Sequence, residues 1–153
     1  MGTVHHPSAM ALHLTMSDLA GPISTGTGIV LSVGETNWLV TAGHNFTGEH
    51  PGTGERLNAS GRRPTEVGIR STWFGTLGQW TTVSRQLVDE EREPLWVEHP
   101  SLGRRVDVVA LRLDEWPNTA TLYPLAIEAP GLAHLTVADD VSIIGYPFGI
   151  TGG

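Results

Sequence analysis

Glycine and proline interrupt this chain so often that long helices cannot be its main building blocks. Nineteen glycines and ten prolines are spread over 153 residues, and the apolar runs between them are short. Such punctuation favours short strands joined by turns. The clearest case is Gly28 to Val33 (GIVLSV), a β-branched run. The turn Gly34-Glu35-Thr36-Asn37 follows it, and Trp38 to Thr41 (WLVT) returns as its partner, a hairpin pattern.

Further strands are expected at Ala9 to Met16, Glu66 to Phe74, Gln79 to Ser84, Leu95 to Glu98 and Asp107 to Leu113. The last is a near-continuous apolar run suited to burial on both faces, with Asp107 at its start. Ser17 to Thr27 and His44 to Pro64 are expected to be loops, the first rich in Gly, Ser, Pro and Thr, the second in Gly and Pro. The cluster Asp89-Glu90-Glu91-Arg92-Glu93 lacks the alternating ligand spacing of a calcium loop and reads as a solvated turn. No segment carries a good helical pattern. The expected fold is therefore all-β, a six-stranded antiparallel β-barrel, since closure leaves no strand edge exposed. Residues 1–130 would form this first barrel. After a connector from Trp116 to Pro130, Asp140 to Tyr146 reads as one more strand with nothing to pair against, the start of an incomplete second barrel spanning residues 131–153.

Composition excludes several functions. The net charge is −7, and all nine basic residues are arginines without a basic stripe, which argues against nucleic acid as a partner. With no cysteine there are no disulfides, thiolate zinc sites or cysteine nucleophile. No apolar run approaches the ~20 residues of a membrane span. Met1 to Met16 has no basic n-region or long apolar run, so no signal peptide is seen and the default location is cytoplasmic. The sequons at Asn45 and Asn58 are then chance occurrences. His5, His6, His13, His50 and His134 show no convergent metal spacing, and no cofactor is implied. The five tryptophans read as core or loop anchors, and His99-Pro100 as a structural pair.

Three segments carry chemistry together. Gly26-Thr27-Gly28-Ile29-Val30-Leu31 leads on to Trp38-Leu39-Val40-Thr41-Ala42-Gly43-His44. Arg105-Val106-Asp107-Val108-Val109-Ala110-Leu111 follows, and then Val141-Ser142-Ile143-Ile144-Gly145-Tyr146-Pro147. In order and context they resemble the trypsin-like (chymotrypsin-fold) serine peptidases of bacterial type, over roughly Ala9 to Gly149. There a "GTG" strand precedes "LVTAAH", a "D-[IV]-A-L-L" strand follows, and "V-x-x-x-G-[YWF]-P" opens the second barrel. The resemblance implies that His44 is a general base and Asp107 the carboxylate that orients it. A serine hydroxyl needs such a base within hydrogen-bond reach, and imidazole can take and return a proton near neutral pH. The carboxylate fixes the tautomer and stabilises the imidazolium.

The chain departs from the family pattern twice. Gly43 stands where the family has alanine, and no "G-[DN]-S-G-G" nucleophile turn occurs. Ser142 lies mid-strand among apolar neighbours and is a poor substitute. The expectation is an N-terminal half, truncated relative to the family, which is inactive alone and whose specificity pocket lies in the missing half. Its partners would be a peptide or protein substrate and a complementing second half. The alternative is a non-catalytic barrel acting as a protein-binding module.

Overall fold

The computed structural model describes residues 9–76, 78–127 and 144–146. In these the chain is all-β. The strands are β1 (Ala11–Asp18), β2 (Gly21–Val33), β3 (Thr36–Thr41), β4 (Glu66–Trp73), β5 (Trp80–Gln86), β6 (Trp96–Val97), β7 (Val109–Arg112), β8 (Ala120–Thr121) and β9 (Leu125–Ala126). One short helix, α1 (Gly43–Thr47), follows β3, and a 3₁₀ turn, Gly103–Arg105, precedes β7. The strands form one sheet in the order β5-β4-β1-β2-β3-β7-β6. Its pairings are antiparallel except for a short parallel contact of β9 with β2. β8 adds to β4.

Period-two alternation builds the core. Leu12, Leu14 and Met16 of β1 point inward, as do Val67 and Ile69 of β4 and Val109 and Leu111 of β7. Leu39, Val30, Leu87, Trp96 and Phe46 complete a single cluster. Among the described residues three are buried and polar, Thr41, Ser71 and Thr72, and two of them tie the sheet together through hydroxyl bonds. The buried Ser71 hydroxyl donates to the Thr121 carbonyl (2.5 Å), and the buried Thr41 hydroxyl donates to the Thr27 carbonyl (2.7 Å).

Several expectations change. The ladder is open, and no strand pairing joins β5 to β6 among the described residues. The two ends meet at an isolated bridge, Val88 with Pro94, closed by Leu95 N–H to the Leu87 carbonyl (2.9 Å) and Asp89 N–H to the Glu93 carbonyl (3.0 Å). β6 is too short to do more. The sheet also holds nine strands rather than six.

Ser17–Thr27, expected as loop, lies mostly in β2, because Gly21, Pro22 and Ser24 to Thr27 all stand in antiparallel register with β1 across a bulge at Met16/Ser17. Gly26 and Gly28 of β2 are required by close approach. A Cβ at Gly28 would stand 2.8 Å from a Leu39 methyl and 3.0 Å from a Leu14 methyl. His44–Pro64 opens with a helical turn instead of loop. Asp107 precedes its strand by two residues rather than starting it. Of the expected strand at Asp140–Tyr146, residues 140–143 lie outside the described residues, and Ile144–Tyr146 are not in a strand. Most of residues 131–153, the expected start of a second barrel, likewise lie outside them. The Asp89–Glu93 cluster is the expected turn, closed by the Glu93 N–H on the Asp89 carboxylate (2.8 Å).

Candidate active site

β3 ends at Thr41, and the chain enters α1 through Ala42, whose extended backbone starts the helix without a side-chain cap. The first amides of any helix lack intrahelical acceptors. Here the missing acceptor arrives from far along the chain. The Asp107 carboxylate takes the His44 backbone N–H on Oδ1 (2.8 Å). Its other oxygen, Oδ2, lies 2.6 Å from His44 Nδ1. One carboxylate thus grips one residue at two points and fixes both its backbone and its ring.

α1 itself is held from below. Phe46 is buried and packs on Trp96 with ring centroids 5.6 Å apart. Gly48 ends the helix in the left-handed conformation (φ 67°) and returns its N–H to the His44 carbonyl (2.9 Å). Gly43 lets the carboxylate come close, since a Cβ there would be 3.2 Å from Asp107 Oδ1 and 3.4 Å from a Val109 methyl. Asp107 arrives on the short turn between the 3₁₀ segment and β7, and the pairing of Thr41 with Val109 aligns the two strand ends that carry the pair.

Electrostatics fix the proton's position. Burial pushes the Asp107 carboxyl up, but the His44 ring and backbone donors outweigh it, so it sits below its ordinary value and is ionised at neutral pH. An ionised carboxylate only accepts, so Nδ1 must carry the hydrogen. When the ring is neutral, Nε2 then presents a lone pair. Among the described residues no side chain bonds Nε2. His44 and Asp107 are partly exposed, their side chains 39% and 32% accessible. A cleft of ≈ 100 Å³ opens beside them, lined also by Val106, Val109, Glu98 and Arg104. The arrangement can accept a proton at Nε2 while the carboxylate holds the resulting positive charge.

Both sequence-expected residues therefore meet. The neighbouring Arg104 does not bind Asp107; it pairs with Glu49 (3.0 Å) and Glu98 (3.3 Å). Sequence reasoning missed Asn45, whose amide donates to the Thr41 hydroxyl (2.8 Å) and fills the space a Cβ at Gly26 would need. It also missed Tyr146, whose N–H donates to the Thr27 hydroxyl (2.8 Å) and whose phenol donates to the Ala11 carbonyl (3.2 Å). The small residues at positions 26 and 28 were the available signal, because glycines within a strand mark close packing. Among the described residues no group of His, Asp and Glu could hold a metal ion, and no helix is long and apolar enough to cross a membrane. No protein-family model, curated protein or solved structure matches the chain.

Proposed function

We propose that this chain contributes the histidine and aspartate of a serine endopeptidase site of trypsin-like type. The observation that carries the reading is the two-point contact between Asp107 and His44 across 63 residues of sequence. On this reading the open sheet is the wall of a first barrel, its gap spanned by the Leu95–Leu87 bond, and residues 131–153 begin a second. The nucleophile is a glycine-flanked serine outside these 153 residues, in the same polypeptide or a second chain. His44 Nε2 takes the serine proton as Oγ attacks the peptide carbonyl carbon. The imidazolium, steadied by Asp107, then gives that proton to the departing amine, leaving an acyl-enzyme. Water, deprotonated by the same nitrogen, releases the acid and frees the serine.

The test is to extend the coding sequence past codon 153, express the product, and probe it with a fluorophosphonate and a peptide substrate. Labelling and hydrolysis that both vanish in His44→Ala are expected. A folded product that is neither labelled nor active, or labelling that survives His44→Ala, contradicts the reading. A second reading, a non-catalytic binding module, is favoured by one observation: among the described residues no serine or threonine hydroxyl bonds to His44. It predicts a stop codon after Gly153 and a soluble chain that no serine-bearing partner activates.

A further inference from the structure

We propose that Glu49 and Arg104 are positioning residues that hold the His44–Asp107 pair in register by bridging the same two segments a second time. The inference rests on reading that pair as a working dyad. His44 and Glu49 belong to one segment, residues 43–57, and Arg104 and Asp107 to another, residues 98–108. Among the described residues no backbone–backbone hydrogen bond links these segments. β3 ends before the first segment begins, and β7 begins only after the second has ended. Only side chains cross between them.

Two crossings are present. The first is Asp107 to His44. The second is Arg104 Nη1 to Glu49 Oε2 at 3.0 Å. Glu49 stands directly after Gly48, which ends α1, and Arg104 stands in the 3₁₀ turn three residues before Asp107. Both ends of the second bridge are themselves anchored. Glu49 is nearly buried, at 16% side-chain accessibility, and also receives Arg63 (3.0 Å) and Arg56 (3.4 Å). Arg104 is held by Glu98 through Nε (3.3 Å). The same bridge forms part of the wall of the cleft beside His44. A single exposed ion pair contributes little, but one carboxylate shared by three guanidinium groups is a network that sets geometry.

The design allows a discriminating control. Arg63 pairs with the same Glu49 oxygen system but does not reach the Asp107 turn. If the bridge positions the dyad, Arg104 matters to the ring and Arg63 does not. If the cluster only neutralises Glu49, the two are equivalent. The readout is the ratio of Nδ1–H to Nε2–H tautomer of neutral His44, measured by nitrogen-15 NMR on the 153-residue chain. Arg104→Gln is expected to lower that ratio about three- to tenfold, the size of coupling between networked residues. Arg63→Gln should leave it within about twofold. Arg104→Lys keeps the charge while losing the two-point contact, and so gives an intermediate ratio even if the glutamine variant is poorly folded. An unchanged ratio in both Arg104 variants, or an equal fall in Arg63→Gln, overturns the inference. Asp107→Asn separates this from failure of the dyad itself. If that variant leaves the ratio unchanged, the dyad reading fails, whatever Arg104 does.

Discussion

Two aspartates in this molecule make nearly the same contacts to opposite effect. Asp107 accepts one backbone N–H and one side-chain N–H from His44. Asp18, at the β1–β2 turn, accepts the Ala20 backbone N–H (2.8 Å) and a two-point grip from the Arg62 guanidinium, whose Nε lies 2.9 Å away. Arg62 also ties down the Gly21 carbonyl (2.7 Å), so its pairing staples a turn. Arginine keeps its proton at every relevant pH, and nothing can be handed on. Histidine exchanges its proton near neutrality, so the same geometry becomes a relay. What separates a staple from a candidate catalytic pair is the partner's acidity, not the carboxylate's surroundings.

The largest expected contrast is in turnover of the serine-bearing protein. Asp107→Asn should lower kcat by about 10⁴-fold through the wrong tautomer. Asp18→Asn should leave kcat within about twofold while shifting thermal unfolding, since this staple ties a turn that makes no bond to His44 or Asp107. Peptide hydrolysis measured on both variants, with melting curves alongside, would break the comparison if their effects on turnover matched.

Next comes the support beneath α1. Phe46→Ala empties a fully packed site under His44 and should cost about 3–5 kcal/mol in denaturant unfolding. Leu19, next to Asp18, is fully exposed, and Leu19→Ala should fall within about 0.5 kcal/mol.

The acid limb sharpens the contrast further. The Arg62 hydrogen bond holds the Asp18 carboxyl down to about 2, below its ordinary 3.8. A carboxyl lowered in the folded state stabilises fully above its unfolded value and loses that contribution as pH falls through the folded one. Asp18→Asn should therefore flatten the fall in stability between pH 3.8 and about 2. Asp107 is also lowered and has the same sign. Melting temperature followed against pH in wild type and Asp18→Asn decides the matter. The smallest effect is expected at Gly43→Ala. A helix-propensity gain of up to about 1 kcal/mol opposes a shift of a few tenths of an ångström in the Asp107 carboxylate, so the net change should stay within about 1 kcal/mol.

The β2–β3 hairpin was legible because β-branched runs flank a turn whose Gly34 adopts positive φ (60°). His44 and Asp107 were legible only through the resemblance of their flanking segments, Thr41-Ala42-Gly43 and Val108 to Leu111, taken together and in order. What composition hid was tertiary. Gly21–Thr27 looks like loop, yet β1 supplies its antiparallel partner, and Gly26 admits Asn45 while the adjoining Gly28 admits Leu14 and Leu39. The α1 turn was hidden because its cap, Asp107, is not local. The open edge at β6 was hidden because expected barrel closure was an argument about edges in general, whereas this strand spans only Trp96–Val97 and the residue facing Val88 is Pro94, which has no N–H to extend the ladder. Glu49 and Arg104 carry no motif, and only folding reveals that three arginines converge on one glutamate.

The account stands on the contact between the ring of His44 and the carboxylate of Asp107. Nitrogen-15 spectra of the His44 ring in the wild-type chain test it directly. A neutral ring protonated at Nδ1, reverting to the Nε2–H form common in water when Asp107 is changed to Asn, is the predicted result. A wild-type ring already protonated at Nε2, and indifferent to that substitution, would contradict it.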